Sequence, residues 1–123
     1  MSKKRILIVD DFENTRFVVK FTLENSGYEV LVGENGEDAK RFLDGSRIDL
    51  IITDYNMPIM NGLDFSIFVR QTEKYKYVPI LILTTDTDEK KKDLARTAQV
   101  TGWIQKPFKM DRFLKIVEKS LNQ

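Results

Sequence analysis

Three polar groupings in this 123-residue chain each follow an aliphatic run, and a lysine follows a further strand-like run. Asp10-Asp11 follows Ile6-Leu7-Ile8-Val9, Asp54 follows Leu50-Ile51-Ile52-Thr53, Thr84-Thr85 follows Ile80-Leu81-Ile82-Leu83, and Lys106 comes just after Gly102-Trp103-Ile104. A single aspartate in such a place is ordinarily a cap or turn residue, and a lone lysine before proline carries no information. The set carries more. If these runs are neighbouring strands, three carboxylates, a hydroxyl and an ammonium converge on one rim. Carboxylates about 5 Å apart repel by roughly 3 kcal/mol per pair at an effective dielectric of about 20. The natural compensation is a hard divalent cation with oxygen ligands. Magnesium fits, because it takes one or two carboxylates and keeps waters and phosphate oxygens as its other ligands. Lys106 adds a fixed positive charge if its strand lies beside the fourth.

The elements that must position these groups alternate. Strand-like runs fall at Ile6–Val9, Val30–Val32, Leu50–Thr53, Ile80–Leu83 and Gly102–Ile104. The first, third and fourth are solidly aliphatic, as in strands covered on both faces. Between the runs lie segments with helical spacing. Phe17, Val18 and Phe21 predict one buried helix face. Ala39, Phe42 and Leu43 predict a second, Leu63, Ile67 and Phe68 a third, and Phe113, Ile116, Val117 and Leu121 a last. Gly27 stops the first helix, Pro58 and Gly62 mark a loop, and Pro79 opens the fourth strand. Five alternations predict an α/β fold, a doubly wound parallel sheet with five helices. The five-stranded form of this architecture is flavodoxin-like, with strand order 2-1-3-4-5 and sites beyond the carboxyl ends of the strands. Without a linker-like tract or a repeat, residues 1–123 read as one domain.

Composition narrows the chemistry. With 41% hydrophobic and 32% charged residues the chain has an ordinary globular balance. It has no cysteine, which excludes disulfides and thiolate metal sites, and no histidine, which excludes imidazole catalysis and any role as a phosphohistidine donor. Twenty basic residues against nineteen acidic ones leave a net charge of +1, so there is no electrostatic case for nucleic-acid binding. The start Met1-Ser2-Lys3-Lys4-Arg5 resembles the charged end of a signal peptide, but the apolar run behind it ends after Val9 at two aspartates. That is too short for a leader or a membrane helix. A cytoplasmic protein without membrane contact is expected.

The motifs are Asp10-Asp11-Phe12 with Arg16, Asp54-Tyr55-Asn56-Met57-Pro58 with Asn61-Gly62, Val78-Pro79, Thr84-Thr85-Asp86, and Gly102-Trp103-Ile104-Gln105-Lys106-Pro107-Phe108. Through them the chain, over residues 4 to 121, resembles the response-regulator receiver domains, and among these the chemotaxis-type, CheY-like single-domain receivers. The resemblance implies that Asp54 is the nucleophile forming an acyl phosphate. It implies that Asp11 and Asp54 bind magnesium directly with the Asn56 carbonyl, and that Asp10 holds a metal-bound water. Thr84 would move to the phosphoryl group, Lys106 would pair with one of its oxygens, and a cis bond would precede Pro107. Asn56 and Asp86 would influence how fast the acyl phosphate hydrolyses. Trp103 is either a large strand residue half covered by helices or the aromatic switch that swings inward as Thr84 moves, altering helix four, strand five and helix five. The physical logic agrees: a carboxylate is a weak nucleophile, so the site must neutralise the incoming phosphoryl group and hold it in line.

A histidine kinase is the implied phosphodonor, and a monomeric switch that turns over no external substrate is expected. Output passes to a partner, either a motor-switch protein in chemotaxis or a histidine phosphotransfer protein in a phosphorelay. A receiver-like interaction module without phosphate turnover is the other alternative, and the complete site residues speak against it. An aspartyl-phosphate hydrolase would need a second acid where Phe12 stands, and a nucleotide or flavin binder would want a glycine-rich loop where Asp10-Asp11 stand. Lys90-Lys91-Lys92 read as a solvated face. Met57, Met60 and Phe12 border the rim, serving either a partner or loop packing.

Overall fold

Aliphatic residues at consecutive positions need cover on both sides, and the sheet supplies it. The structure, a computed structural model, describes residues 3–85 and 88–122. Strands β1 (Arg5–Val9), β2 (Glu29–Gly33), β3 (Leu50–Asp54), β4 (Ile80–Thr84) and β5 (Gly102–Gln105) form one parallel sheet in the order β2-β1-β3-β4-β5. Every residue of β3 and β4 is buried. Helices α1 (Glu13–Asn25), α2 (Gly36–Ala39), α3 (Gly62–Gln71), α4 (Glu89–Thr97) and α5 (Met110–Leu121) connect and cover the strands. Short 3-10 turns extend α2 over Lys40–Phe42 and follow α3 over Glu73–Tyr75. This is the flavodoxin-like doubly wound architecture expected from the alternation.

Alternate strand residues point to opposite faces. Leu7, Val9, Ile51, Ile80 and Ile82 join Ala39, Phe65, Val69 and Ala95 under α2, α3 and α4. Ile6, Ile8, Leu50, Ile52, Leu81 and Leu83 join Val19, Leu23, Phe113 and Val117 under α1 and α5. The chain leaves β1 in one direction and β3 in the other, so a crevice opens beyond their carboxyl ends. Among the described residues no helix is long and apolar enough to cross a membrane.

Two predicted helix faces are corrected, and a third keeps its core contacts from a shorter helix. Phe17, Val18 and Phe21 are not buried: they are 69%, 47% and 58% exposed, and the covered stripe is Val19 and Leu23. Both stripes have the same four-residue spacing, so periodicity alone could not choose the phase. Packing chooses it, since Val19 and Leu23 join Ile6, Ile8, Leu50 and Ile52 in the core. Arg16 Nη1 donates to the Asp10 carbonyl at 2.7 Å, and the helix closes through Gly27 N–H to Glu24 O and Tyr28 N–H to Leu23 O, both 3.1 Å. Gly27 takes the left-handed φ of 94° that this closure requires. In α3 the covered residues are Phe65, Ser66 and Val69, with Leu63 and Phe68 partly covered and Ile67 exposed. The regular part of α2 ends at Ala39, so Phe42 and Leu43 flank the core from a 3-10 turn and the residue after it.

Candidate functional site

The rim at the carboxyl ends of β1, β3 and β4 carries the predicted residues. Asp10 directly follows β1 and is 1% exposed. Its Oδ1 accepts the Phe12 N–H at 2.9 Å, and Arg16 holds its carbonyl. Asp54 ends β3, is 5% exposed, and accepts the Tyr55 N–H on Oδ1 at 2.9 Å. Carboxylate oxygens of Asp10, Asp11 and Asp54 all lie within 4.8 Å of one another. Lys106 reaches back from β5, its Nζ 3.5 Å from Asp10 Oδ2 and 3.3 Å from Asp54 Oδ2. Burial pushes the Asp54 carboxyl up from 3.8 to about 6; Lys106 opposes that rise and Asp10 adds to it.

The residues present suit a hard cation. Asp11 Oδ1 is buried and has no hydrogen-bond partner, a costly condition for a carboxylate oxygen. One ammonium among three convergent carboxylates leaves negative charge uncompensated. An all-oxygen donor set selects magnesium, calcium or manganese over softer metals.

Thr84 ends β4 fully buried, and its carbonyl accepts the Lys106 N–H at 2.7 Å, so the backbones of the threonine and the lysine are linked across the sheet. The Lys106–Pro107 bond is cis. Asn56 lies exposed in the loop two residues beyond Asp54. Asp86 lies outside the described residues. Gly62 brings that loop home: a Cβ there would sit 2.2 Å from the Asp54 carbonyl oxygen, so no other residue permits α3 to start so close to the end of β3. Asn61 caps the helix, accepting the Asp64 N–H at 2.8 Å.

Trp103 stands apart from the carboxylates. It is half-buried on β5, and its ring meets Tyr55 at 5.6 Å between centroids with a 58° tilt. Its indole N–H is buried without a partner. Tyr55 is the residue the sequence undervalued. It is 6% exposed and directly follows Asp54, and Lys91 Nζ stands 5.2 Å from its ring centre. The available signal was the alternation along β3, which turns residue 55 away from the Asp54 side chain toward α4. Lys91 is accordingly more than a solvated residue, while Lys90 is exposed as expected.

With this geometry in place, the family model of the response regulator receiver domain matches residues 6–118. Chemotaxis protein CheY1 of Helicobacter pylori is 41% identical over 106 residues, covering 85% of this chain and 86% of that protein. The crystal structure of chemotaxis protein CheY4 of Vibrio cholerae superposes with a TM-score of 0.92 at 39% identity, over 97% of this chain and 99% of that one. Response regulator TrrA of Thermotoga maritima, in complex with Mg2+ and BeF, superposes with a TM-score of 0.83 at 35% identity, over 95% of this chain and 98% of that one. The chain belongs to the response regulator receiver domains. Receivers of this CheY-like kind are the phosphoryl-accepting switches of two-component signalling and take the phosphoryl group from histidine kinases.

Proposed function

We propose that residues 1–123 act as a single receiver domain in which Asp54 accepts the phosphoryl group of a histidine kinase and the output is a protein contact in chemotaxis or motility. The observation that carries this reading is the Lys106 ammonium placed within 3.5 Å of Asp10 and Asp54, in a pit where Asp11 keeps a buried oxygen unpartnered. Asp11, Asp54 and the Asn56 carbonyl would hold Mg2+, with Asp10 holding one of its waters. When bound, the ion supplies Lewis-acid neutralisation of phosphoryl charge. A carboxylate oxygen of Asp54 forms the bond to phosphorus as the P–N bond of the donor breaks and the leaving imidazole takes up a proton. Lys106 is placed to pair with a phosphoryl oxygen, relieving the repulsion that opposes attack. The product carries close to two negative charges and three acceptor oxygens. Thr84, one strand away, supplies a hydroxyl to one of them by shifting.

That shift vacates space beside Trp103, whose unpartnered indole N–H gives its present position little to lose. The face altered is α4, β5 and α5. It carries a groove of about 740 Å³ whose lining includes Trp103, Phe108 and Ile116 with three bases, Lys109, Arg112 and Lys115, against one acid, Asp111. Such a groove suits an amphipathic segment bearing acidic residues, as a motor-switch protein could present. The protein works as a cytoplasmic monomer and turns over no external substrate. Its test is direct: incubation with Mg2+ and acetyl phosphate adds one phosphoryl group by intact mass, hydroxylamine removes it, and Asp54→Asn abolishes it. Labelling that survives Asp54→Asn places the acceptor elsewhere.

A further inference from the structure

Arg16 belongs to the motif around Asp10-Asp11, yet neither the acceptor chemistry nor its own helix accounts for it. It is the fourth residue of α1, and a cation in the first turn of a helix opposes the dipole. Its side chain is only 17% exposed, an unfavourable place for a charge unless hydrogen bonds compensate. The main partner is the Asp10 carbonyl, to which Nη1 donates at 2.7 Å. Nη2 lies 4.0 Å from Oε1 of the well-exposed Glu34, just after β2, and that contact is slack.

The carbonyl that Arg16 holds belongs to the peptide joining Asp10 to Asp11. That unit is planar, so fixing its oxygen also fixes the direction in which the Asp11 Cα leaves it. The rest of the turn is tied as well. Asp10 N–H donates to the Gly33 carbonyl at 3.1 Å, Asp10 Oδ1 accepts the Phe12 N–H at 2.9 Å, and Arg16 N–H donates to the Phe12 carbonyl at 3.0 Å. Asp11 differs from Asp10. Its buried Oδ1 has no hydrogen-bond partner, so its aim depends on the backbone behind it. Of the bonds that hold this backbone, the one from Arg16 is charge-assisted, the stronger kind.

We propose that Arg16 is a positioning residue of the cation site: by fixing the peptide between Asp10 and Asp11 it aims the Asp11 carboxylate and sets a preference for magnesium over calcium. The proposal rests on Asp10, Asp11 and Asp54 as the residues that hold the ion. Magnesium demands near-octahedral ligands at about 2.0–2.1 Å, whereas calcium accepts about six to eight oxygens at about 2.3–2.6 Å in flexible geometry. A loosened Asp11 therefore penalises magnesium more. The guanidinium charge acts in the opposite sense, since it repels any cation, and its loss alone would tighten both ions alike. The sign of the change separates positioning from charge.

The test measures Mg2+ and Ca2+ dissociation constants by calorimetry for wild type, Arg16→Met, Arg16→Gln and Arg16→Lys, with urea unfolding of each metal-free protein. The two neutral variants should bind Mg2+ about tenfold more weakly and Ca2+ less than about threefold more weakly. Arg16→Lys, which keeps a donor one bond shorter, should recover most of the Mg2+ loss. Beryllium fluoride, followed by Trp103 fluorescence, should then act on Arg16→Met only at higher Mg2+. Unchanged or tighter Mg2+ binding in a folded neutral variant overturns the proposal, as do equal losses for the two ions or a beryllium fluoride response at the wild-type Mg2+ concentration. Failure of both neutral variants to fold overturns it in favour of a role in folding alone. A wild type that binds no Mg2+ overturns the cation site itself, and the proposal with it. A wild type that binds Mg2+ without responding to beryllium fluoride overturns the acceptor reading and leaves the role of Arg16 to the two dissociation constants.

Discussion

Replacing Asp54 by asparagine should make the protein more stable, by an amount that depends on pH. Burial disfavours the Asp54 carboxylate more than Lys106, 3.3 Å away, favours it, and Asp10 adds repulsion. A carboxyl raised from 3.8 to about 6 corresponds to about 3 kcal/mol between its two protonation states. The folded pKa lies above the unfolded one, so the stability associated with the group is fully present below pH 3.8 and is lost as pH rises through about 6. Asparagine does not titrate. The stability of Asp54→Asn minus that of wild type should therefore be about 0.5 kcal/mol near pH 4, about 1.6 near pH 5 and close to 3 at about pH 7, where it levels off. The asparagine leaves Lys106 its Asp10 partner, so little is orphaned by the change. Urea unfolding of both proteins across this range measures the difference from shifts in midpoint at constant slope. Magnesium should shrink the gap from the wild-type side, by about 2.7 kcal/mol at a hundredfold excess over its dissociation constant. A variant less stable than wild type at neutral pH, or a difference that does not change with pH, would refute the account of a desolvated, frustrated carboxylate.

Four further substitutions test the scaffold. Gly62→Ala places a Cβ 2.2 Å from the Asp54 carbonyl oxygen and 3.1 Å from Tyr55 Cα, so it should cost about 2–4 kcal/mol in urea and blunt the beryllium fluoride response; a cost under about 0.5 kcal/mol would contradict that close approach. Ile59 is 81% exposed with a φ of 71°, and Met60 N–H donates to the Pro58 carbonyl across it at 2.7 Å, a tight turn that a β-branched residue enters under strain. Ile59→Asn should raise stability by about 1 kcal/mol, and a lower urea midpoint would count against strain there. Leu23→Ala should cost about 3 kcal/mol, whereas Phe17→Ser should stay within about 0.5 kcal/mol; equal losses would mean that α1 sits in the other phase.

The sheet and its order were legible because fully covered strands need consecutive aliphatic residues, and β1, β3 and β4 supply them at Ile6–Val9, Leu50–Ile52 and Ile80–Leu83. The acidic pit was legible because it sits where those runs stop. Helix phase was not. Phe17 and Phe21 stack on each other at 6.3 Å in solvent, although large aromatic residues four apart predict a buried stripe. Val19 and Leu23 have the same spacing, and what decides is their packing with Ile6, Ile8, Leu50 and Ile52, a tertiary fit that no local pattern reveals.

The missed residues share a cause. Arg70, Tyr55 and Lys91 act through carbonyls and ring faces, groups that every sequence contains in abundance, so their residue types announce nothing. Their pairing depends on where the β4–α4 and α4–β5 connections return α4 to the sheet. Asp10, Asp11, Asp54 and Lys106, by contrast, are chemically costly to bring together and therefore conspicuous in the sequence. The carboxylate pit can thus be read from residue types, while the contacts that place α4 depend on tertiary structure. A helix with one buried residue, its C-terminal carbonyls held by the Arg70 guanidinium, owes its place to contacts of this kind and not to a buried apolar stripe.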